Sequence, residues 1–440
     1  MPTADDSARP NGNFRPSSPV LLALLASIAP LLLFHKRFAL LYWFHDDWEL
    51  TSDFDQLGYW RWIQKPHAET YAPLFKVLWI AAIHGVNGSY FGMIALLWLM
   101  HLAILLFFAY ILSRCGFSAN AQGAAVLTAG LPWSNIETLG WATQWSAMLC
   151  TLFWLAAWAA TTRLLEADGG KERHPALWQA LALIAAAASV LCFARGVIAG
   201  ITVAFFIVLS TASPFAKKRL WRLGISLAVI SVVCFLLYQH LLSGLTQAVT
   251  FSFAKFQAMV AYGGYYLLAN PLYQILPIPR KVPDARALLI AGSCKLALVS
   301  AALRLSNRAQ RAALFTLLFF DFAAASQLAF GRYTLGINSS VSYRYQYVSL
   351  LCFAPFFGIV VAGVVTRTTQ QSRKFAYAVT MLSWGLLLGY PWIRHSARWS
   401  GWRGVEVREA LRTTPDDLRF GLPAITAGRA RELIKKYHLH

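Results

Sequence analysis

Apolar runs of about 20 residues recur along most of the chain and restrict the folds that it can adopt. The run at 90–112 reads YFGMIALLWLMHLAILLFFAYIL and contains no Asp, Glu, Lys or Arg. A helix of about 20 residues is long enough to cross the roughly 30 Å hydrocarbon core of a bilayer. With 58% hydrophobic and only 13% charged residues, the chain is too apolar for a water-soluble globular protein. The sequence therefore predicts an all-α, polytopic transmembrane protein.

About eleven transmembrane spans are predicted from the lengths of these apolar runs. The predicted spans cover residues 20–34, 90–112, 119–133, 141–164, 176–193, 197–212, 223–242, 287–303, 312–330, 347–365 and 375–393. Residues 1–19 are rich in Pro, Ser and Asn and are predicted to form a disordered cytoplasmic tail. The transmembrane domain is expected to occupy 20–393, and 394–440 is predicted to be a short basic tail.

The segment 251–276 decides on which side of the membrane every later loop lies. It is long enough to span, but Gly263-Gly264 and Asn270-Pro271 weaken a continuous helix. We predict a re-entrant or interfacial helix here. The basic connectors then all fall on one side, which the positive-inside rule assigns to the cytoplasm. The first outer loop, 45–89, with its predicted interfacial helices, falls on the extracytoplasmic side. The tail 394–440 falls there too by this count of spans, whereas its excess of Lys and Arg over acids favours the cytoplasm, so its side stays open.

The net charge of +20 and the 6 cysteines raise the question of a nucleic-acid site, a disulfide framework or a zinc site, and the positions of these residues argue against all three. Most Lys and Arg separate apolar segments, as membrane topology requires, and no basic run is interleaved with aromatic residues in a soluble domain. We therefore expect no nucleic-acid partner. The 6 cysteines are scattered and none forms a CxxC pair, so neither a disulfide framework nor a zinc site is predicted.

Acidic residues are concentrated in the first outer loop, which contains six of the 19 in the chain between Asp46 and Glu69. The adjacent pair Asp46-Asp47 follows the first apolar segment directly. A carboxylate at a membrane edge can act as a general base on a hydroxyl group, but it can equally cap an interfacial helix. Glu137, predicted on the same face, is a further candidate, although a helix cap explains it more simply.

Basic residues on the predicted outer face are candidates for binding a substrate phosphate. The guanidinium of arginine binds phosphate oxygens bidentately and tolerates partial desolvation. Any single one of these residues is explained as well by snorkelling toward lipid headgroups. Only the combination of acids and cations on one face indicates catalysis. The candidate substrate-binding residues are Lys65, His67, Arg195, Arg280, Lys281, Arg332 and Arg344.

The order of these residues resembles the GT-C superfamily, the polytopic glycosyltransferases that use polyprenyl-phosphate-linked sugars. Ala72 stands where the family usually has arginine, and Tyr343-Arg344-Tyr345 is similar to a late element of some members. The likeness is carried by Asp46-Asp47, His67, Tyr71-Ala72-Pro73-Leu74, Gly85, Met100-His101, Pro132, Glu137 and Trp141.

The resemblance implies an inverting glycosyltransferase with an extracytoplasmic active site, expected in a bacterial inner (plasma) membrane. Asp46 or Asp47 would act as the general base, and Glu137 would be a further catalytic carboxylate. Arg or Lys side chains would stabilise the departing polyprenyl phosphate. No cofactor is required, although a divalent cation is an open alternative and its ligands are unknown. The acceptor would be a saccharide, a lipid or a protein. Two other functions stay open: a flippase or transporter of lipid-linked saccharides, and a polymerase or ligase of envelope polysaccharide.

Lys295 and Asp321 are charges placed deep within predicted spans. Lys295 lies nine residues before Arg304, and Asp321 lies ten residues after Arg311, on either side of one connector. Both therefore reach a depth of roughly 14 Å, near the bilayer centre. An unpaired charge there costs at least about 2.5 kcal/mol. We predict that the two side chains face each other as a structural ion pair, in preference to a proton or substrate relay.

Overall fold

The computed structural model describes residues 18–67, 70–167, 174–211, 218–242, 252–272, 284–366, 370–399, 402–420 and 425–440, most of which are helical. Almost all of the predicted N-terminal tail lies outside these residues. The helices are α1 (Ser18–Leu33), α2 (His35–Phe38), α3 (Asp46–Gln64), α4 (Pro73–Gly85), α5 (Tyr90–Arg114), α6 (Ala119–Gly130), α7 (Ile136–Leu139), α8 (Trp145–Ala167), α9 (Pro175–Cys192), α10 (Val197–Ser210), α11 (Lys218–Leu242), α12 (Phe253–Ala269), α13 (Ala285–Leu305), α14 (Arg308–Arg332), α15 (Ile337–Ser340), α16 (Tyr343–Thr366), α17 (Gln370–Trp399), α18 (Trp402–Thr413) and α19 (Ala427–Tyr437).

Short 3₁₀ turns and one small hairpin complete the described structure. The 3₁₀ turns are Trp133–Asn135, Ala142–Gln144, Ala194–Gly196 and Tyr333–Leu335. Strands β1 (Arg419–Phe420) and β2 (Ile425–Thr426) pair in antiparallel fashion, with Arg419 opposite Thr426.

Seven helices among the described residues are long and apolar enough to cross a membrane: α5, α8, α9, α11, α13, α14 and α16. The chain is therefore an all-α, integral membrane protein, as the sequence predicts. The other four predicted spans fall on helices outside this set, because α1 and α10 are short, α6 has 12 residues and α17 is less apolar. Helix α12, with 17 residues, is also outside the set. The total of eleven spans and the interfacial position of α12 stay predictions.

Small residues allow the central helices to approach closely. Helix α6 has the sequence ANAQGAAVLTAG and is buried among α1, α5 and α16. A Cβ atom added at Gly358 of α16 would lie 2.3 Å from the carbonyl oxygen of Ala121. Only glycine permits this contact between backbones, which is how small residues pack helices that gain no hydrophobic energy from leaving lipid.

Lys295 and Asp321 meet between α13 and α14, which confirms the predicted pairing. The Lys295 Nζ atom lies 3.4 Å from Asp321 Oδ2, and both side chains are buried. Lys295 also donates to the carbonyl oxygens of Leu267 and Asn270, at 2.7 and 2.9 Å. The ammonium group therefore satisfies carbonyl groups at the end of α12 as well as the carboxylate.

The two ends of the helical bundle are identified by the helix ends that lie there. At one end the guanidinium groups of Arg114 and Arg163 lie 5.1 and 5.4 Å from the centroid of the Tyr110 ring. Gln310, at the start of α14, donates to the carbonyl oxygen of Gly116 over 2.8 Å, so the connector between α13 and α14 lies at this same end. The opposite end contains the start of α5, the start of α8 and the end of α9.

The segment 394–440, predicted as a short basic tail, is folded in its described parts. Helix α17 extends to Trp399, and α18, the β1–β2 hairpin and α19 follow it. Helix α19 packs on α3, and the amide of Tyr90 donates to the carbonyl oxygen of His440 over 2.9 Å. The segment therefore lies at the end of the bundle that carries the first loop.

Candidate active site

The turn before α3 sends two consecutive carboxylates in different directions. His45 precedes the helix with φ 51° and ψ −118°, a conformation that non-glycine residues rarely adopt. Successive residues of a helix point about 100° apart. Asp47 consequently points into the protein, whereas Asp46 borders a cavity.

Asp47 connects the start of α3 to the 3₁₀ turn Ala142–Gln144 before α8. Its Oδ1 atom accepts hydrogen bonds from the amide of Thr143, at 3.0 Å, and from the Thr143 hydroxyl. Its Oδ2 atom accepts from the amide of Phe44 at 3.0 Å and the hydroxyl of Tyr90 at 3.4 Å. The Tyr90 hydroxyl in turn accepts from the amide of Ala142 over 3.2 Å. Because Asp47 is fully buried, no substrate hydroxyl reaches it without displacing these donors.

Asp47 should make the stability of the protein pH-dependent. Burial raises its pKa to about 7, although hydrogen bonds from Thr143 and Phe44 lower it in part. An unfolded aspartate has a pKa of about 3.9, so the proton binds more tightly to the folded state. Its stabilising contribution is complete below about pH 4 and is lost as the pH rises to about 7, by about 4 kcal/mol at most.

We therefore expect the melting temperature of the wild type in detergent to fall more steeply between about pH 4 and pH 7 than that of Asp47→Asn, which has no carboxyl to titrate. The comparison isolates this one group, because all other titrating residues are shared. Parallel pH profiles would mean that Asp47 does not titrate in this range.

A cavity of about 110 Å³ lies beside the N-terminus of α3 and collects residues from distant parts of the chain. Five of the predicted catalytic or substrate-binding residues border it, together with aromatic side chains such as Trp141 and Tyr345. These five are Asp46, His67, Arg195, Arg332 and Arg344. The cavity thus combines one carboxylate and one imidazole with three guanidinium groups.

The acidic side of the cavity has a set of donors that could hold a metal ion. One ligand atom each from Asp46, Glu49 and His67 lie within 4.8 Å of one another. Burial raises the pKa of Glu49, with Asp53 and Asp46 adding to the effect, and burial lowers the pKa of His67. Two carboxylates and a neutral imidazole suit divalent cations such as Mn²⁺ or Zn²⁺. These residues therefore fit the divalent cation that the sequence left open.

Two of the three arginines on the basic side of the cavity, Arg195 and Arg344, have no carboxylate partner within the described residues. Arg195, in the turn after α9, is only 6% exposed, and its guanidinium lies 5.9 Å from the Phe193 ring. The Nε atom of Arg344 is buried without a hydrogen-bond partner in the described part of the chain. Burying an uncompensated charge is costly, so this side of the cavity favours an anionic ligand.

The remaining predicted site residues lie elsewhere. Lys65 forms an ion pair with Asp53 at 2.7 Å near the end of α3. Glu137 does not border the cavity but accepts a hydrogen bond from Ser342 over 3.5 Å, close to Arg344 in sequence. Its participation in catalysis stays a prediction. Arg280 and Lys281 fall outside the described residues.

Sequence reasoning missed Thr143, Tyr90 and Lys76. Lys76 of α4 is 1% exposed and donates to the carbonyl oxygens of Trp62 and Lys65, at 2.7 and 2.5 Å. Burial lowers its pKa to about 8. A lysine within the apolar helix PLFKVLWIAAIHG is a recognisable signal of a buried cation, and this one fixes the end of α3. Thr143 and Tyr90 gave no comparable signal, because hydroxyl residues are common at helix ends.

No protein-family model matches this chain, and no curated protein matches it.

Proposed function

We propose that this protein is a membrane glycosyltransferase that moves a sugar from a polyprenyl-phosphate donor to an acceptor hydroxyl. The observation that carries the proposal is the composition of one cavity, in which Asp46 borders the same space as Arg195, Arg332 and Arg344. Transfer from a lipid phosphate needs a base for the acceptor and cations for the leaving group. The cavity supplies both, at the end of a membrane-spanning bundle.

The proposed reaction is a direct displacement at the anomeric carbon. The Asp46 carboxylate accepts the proton of the acceptor hydroxyl, and the oxygen attacks the anomeric carbon from the face opposite the phosphate. The bond between that carbon and the phosphate oxygen breaks, and polyprenyl phosphate leaves with the bonding electron pair. Arg195, Arg332 and Arg344 stabilise the charge that develops on the phosphate. One displacement inverts the configuration of the sugar.

Asp46 is the better base of the two aspartates. It borders the cavity and is partly exposed, whereas Asp47 is buried and accepts hydrogen bonds from Thr143, Phe44 and Tyr90. Asp47 instead positions the start of α3 against the turn that precedes α8. If a divalent cation were held by Asp46, Glu49 and His67, it would supply Lewis-acid chemistry at this cavity, and Asp46 would then be its ligand instead of a free base.

The distribution of charge supports an extracytoplasmic site in a bacterial inner membrane. Arg114, Arg163 and the connector between α13 and α14 lie at the end of the bundle opposite the cavity. Short loops rich in Arg and Lys stay in the cytoplasm. The cavity then opens at the outer leaflet, where its acceptor would be a saccharide, a lipid or a protein.

The proposal is tested by turnover of a defined donor. The full-length protein is reconstituted in liposomes with undecaprenyl phosphate carrying a radiolabelled hexose, and an envelope extract supplies acceptors. We expect label to leave the lipid and undecaprenyl phosphate to accumulate, with no release by Asp46→Asn. A donor that crosses the bilayer but is never consumed would overturn transfer in favour of a flippase or transporter.

Arg195→Met should weaken donor binding. A hydrogen bond to a charged group contributes about 1.5–3 kcal/mol, so the KM for the donor and the Kd for undecaprenyl phosphate should rise by about 10-fold to 100-fold. Arg163→Met is the matched control, because Arg163 also contacts an aromatic ring but lies at the opposite end of the bundle. Equal effects of the two substitutions on the Kd would contradict a phosphate site at Arg195.

A further inference from the structure

Asp55 connects the first loop to the C-terminal helix α19. Its Oδ2 atom lies 2.6 Å from Arg429 Nη2, and its Oδ1 atom lies 2.5 Å from Lys436 Nζ. The Tyr437 hydroxyl donates to Oδ1 over 2.7 Å. Burial would raise the pKa of Asp55, but the hydrogen bonds from Lys436, Tyr437 and Arg429 outweigh it and hold the pKa at about 2. The carboxylate is therefore ionised and fully engaged at any physiological pH.

Apolar contacts hold α19 against α3, next to the ion pairs of Asp55 with Arg429 and Lys436. Ala427, Ala430 and Leu433 repeat at the spacing of one helix face, and all three are buried. The Tyr437 ring packs on Phe54 of α3, with centroids 5.9 Å apart. Helix α19 thus has a defined docking position on α3.

A second contact fixes the residues after α19 to the start of α5. The amide of His440 donates to the carbonyl oxygen of Gly88 over 3.1 Å, and the amide of Tyr90 donates to His440. A Cβ atom on Gly88, which has φ +73°, would lie 2.4 Å from the carbonyl oxygen of His438, so only glycine permits this approach. The hydroxyl of the same Tyr90 contacts Asp47.

The contact with Asp55 leads along α3 to the proposed base Asp46, and the contact with Tyr90 leads to its neighbour Asp47. Asp46 and Asp55 belong to one helix, and nine residues of helix correspond to about 13 Å. The break in that helix, at Gly58 with φ 70°, comes after Asp55, so the stretch between the two aspartates is continuous. A displacement of Asp55 is therefore transmitted along α3 to Asp46.

We propose that residues 425–440 form a brace that holds α3 in place, with Asp55 and Arg429 as positioning residues for Asp46. This inference rests on the proposed function only for its effect on turnover. The brace keeps the carboxylate of Asp46 at a fixed place in the cavity without touching the donor. Two cations of this segment, Arg429 and Lys436, pair with the same acid of the first loop.

The test compares Asp55→Ala with Asp416→Ala in the full-length protein. Each substitution removes one carboxylate that pairs with an arginine of α19. Asp55 lies in α3 and pairs with Arg429 across the two segments, whereas Asp416 and its partner Arg431 both lie in the C-terminal segment. We expect Asp55→Ala to lower kcat at least 10-fold with an unchanged KM for the lipid donor, since only the base moves. Asp416→Ala should retain the wild-type kcat. Arg429→Lys keeps the positive charge that pairs with Asp55 and should therefore retain more activity than Arg429→Met.

Hydrogen exchange of the amides of 48–57 separates failure of the brace from failure of the proposed function, because it needs no turnover. We expect faster exchange in Asp55→Ala and wild-type exchange in Asp416→Ala. Unchanged exchange in Asp55→Ala would overturn the brace. Faster exchange with an unchanged kcat would overturn the positioning role. If the wild type transfers no sugar, the exchange result still decides whether the brace exists.

Discussion

Replacement of Asp46 by asparagine is expected to reduce transfer by about 10³-fold, within the range of about 10² to 10⁴ that general bases contribute. Asparagine has nearly the same shape but cannot accept the acceptor's proton at neutral pH. Donor binding should persist, because the phosphate contacts that we propose for Arg195 and Arg344 do not depend on the base. The measurement is single-turnover release of undecaprenyl phosphate, with the Kd for the same lipid determined in parallel.

The two aspartates should behave differently. Asp47→Asn loses part of a network that joins α3 to the turn Ala142–Gln144, so its main effect should be a lower melting temperature. Asp46→Asn should melt as the wild type does, since Asp46 is partly exposed. If Asp46→Asn keeps more than a tenth of wild-type turnover, the base lies elsewhere. Glu137→Gln would then be the next variant to assay, because Glu137 contacts Ser342 near the basic side of the cavity.

The second large effect concerns stability and the ion pair of Lys295 with Asp321. Lys295→Met should cost about 3–5 kcal/mol, the range measured when one partner of a buried pair is removed. It leaves Asp321 and the carbonyl oxygens of Leu267 and Asn270 without their shared donor. Asp321→Asn should cost less, because those two carbonyl contacts remain.

The double variant Lys295→Met with Asp321→Asn should be more stable than Lys295→Met alone, since it no longer buries an unpaired charge. Melting temperatures in one detergent provide the comparison. Arg286→Met, an exposed charge on the same helix as Lys295, is the control and should change stability by less than about 0.5 kcal/mol. A double variant no more stable than Lys295→Met would show that the pair does not hold these helices together.

The membrane class and the pairing of Lys295 with Asp321 could be predicted because both depend on distance along a helix. A run of about 20 apolar residues has the length of a bilayer core wherever it occurs. Lys295 and Asp321 are nearly equidistant from their shared connector, so an antiparallel hairpin must bring them to one level. The number of spans is less certain from sequence, because apolar helices such as α6 are shorter than their apolar runs suggest.

The arrangement of the cavity was decided by tertiary structure. The sequence contains Asp46 and Asp47 as equivalent neighbours, and only packing against Thr143 and Tyr90 buries one and leaves the other at the cavity. Arg195 and Arg344 belong to separate helical segments, and nothing local to either indicates that they meet. Likewise, the pairing of Asp55 with α19 joins residues at opposite ends of the chain. Local sequence therefore determined which segments form helices and which residue types could perform chemistry. The contacts between distant helices determined which of those residues face one another, because such contacts depend on how all of the helices pack together.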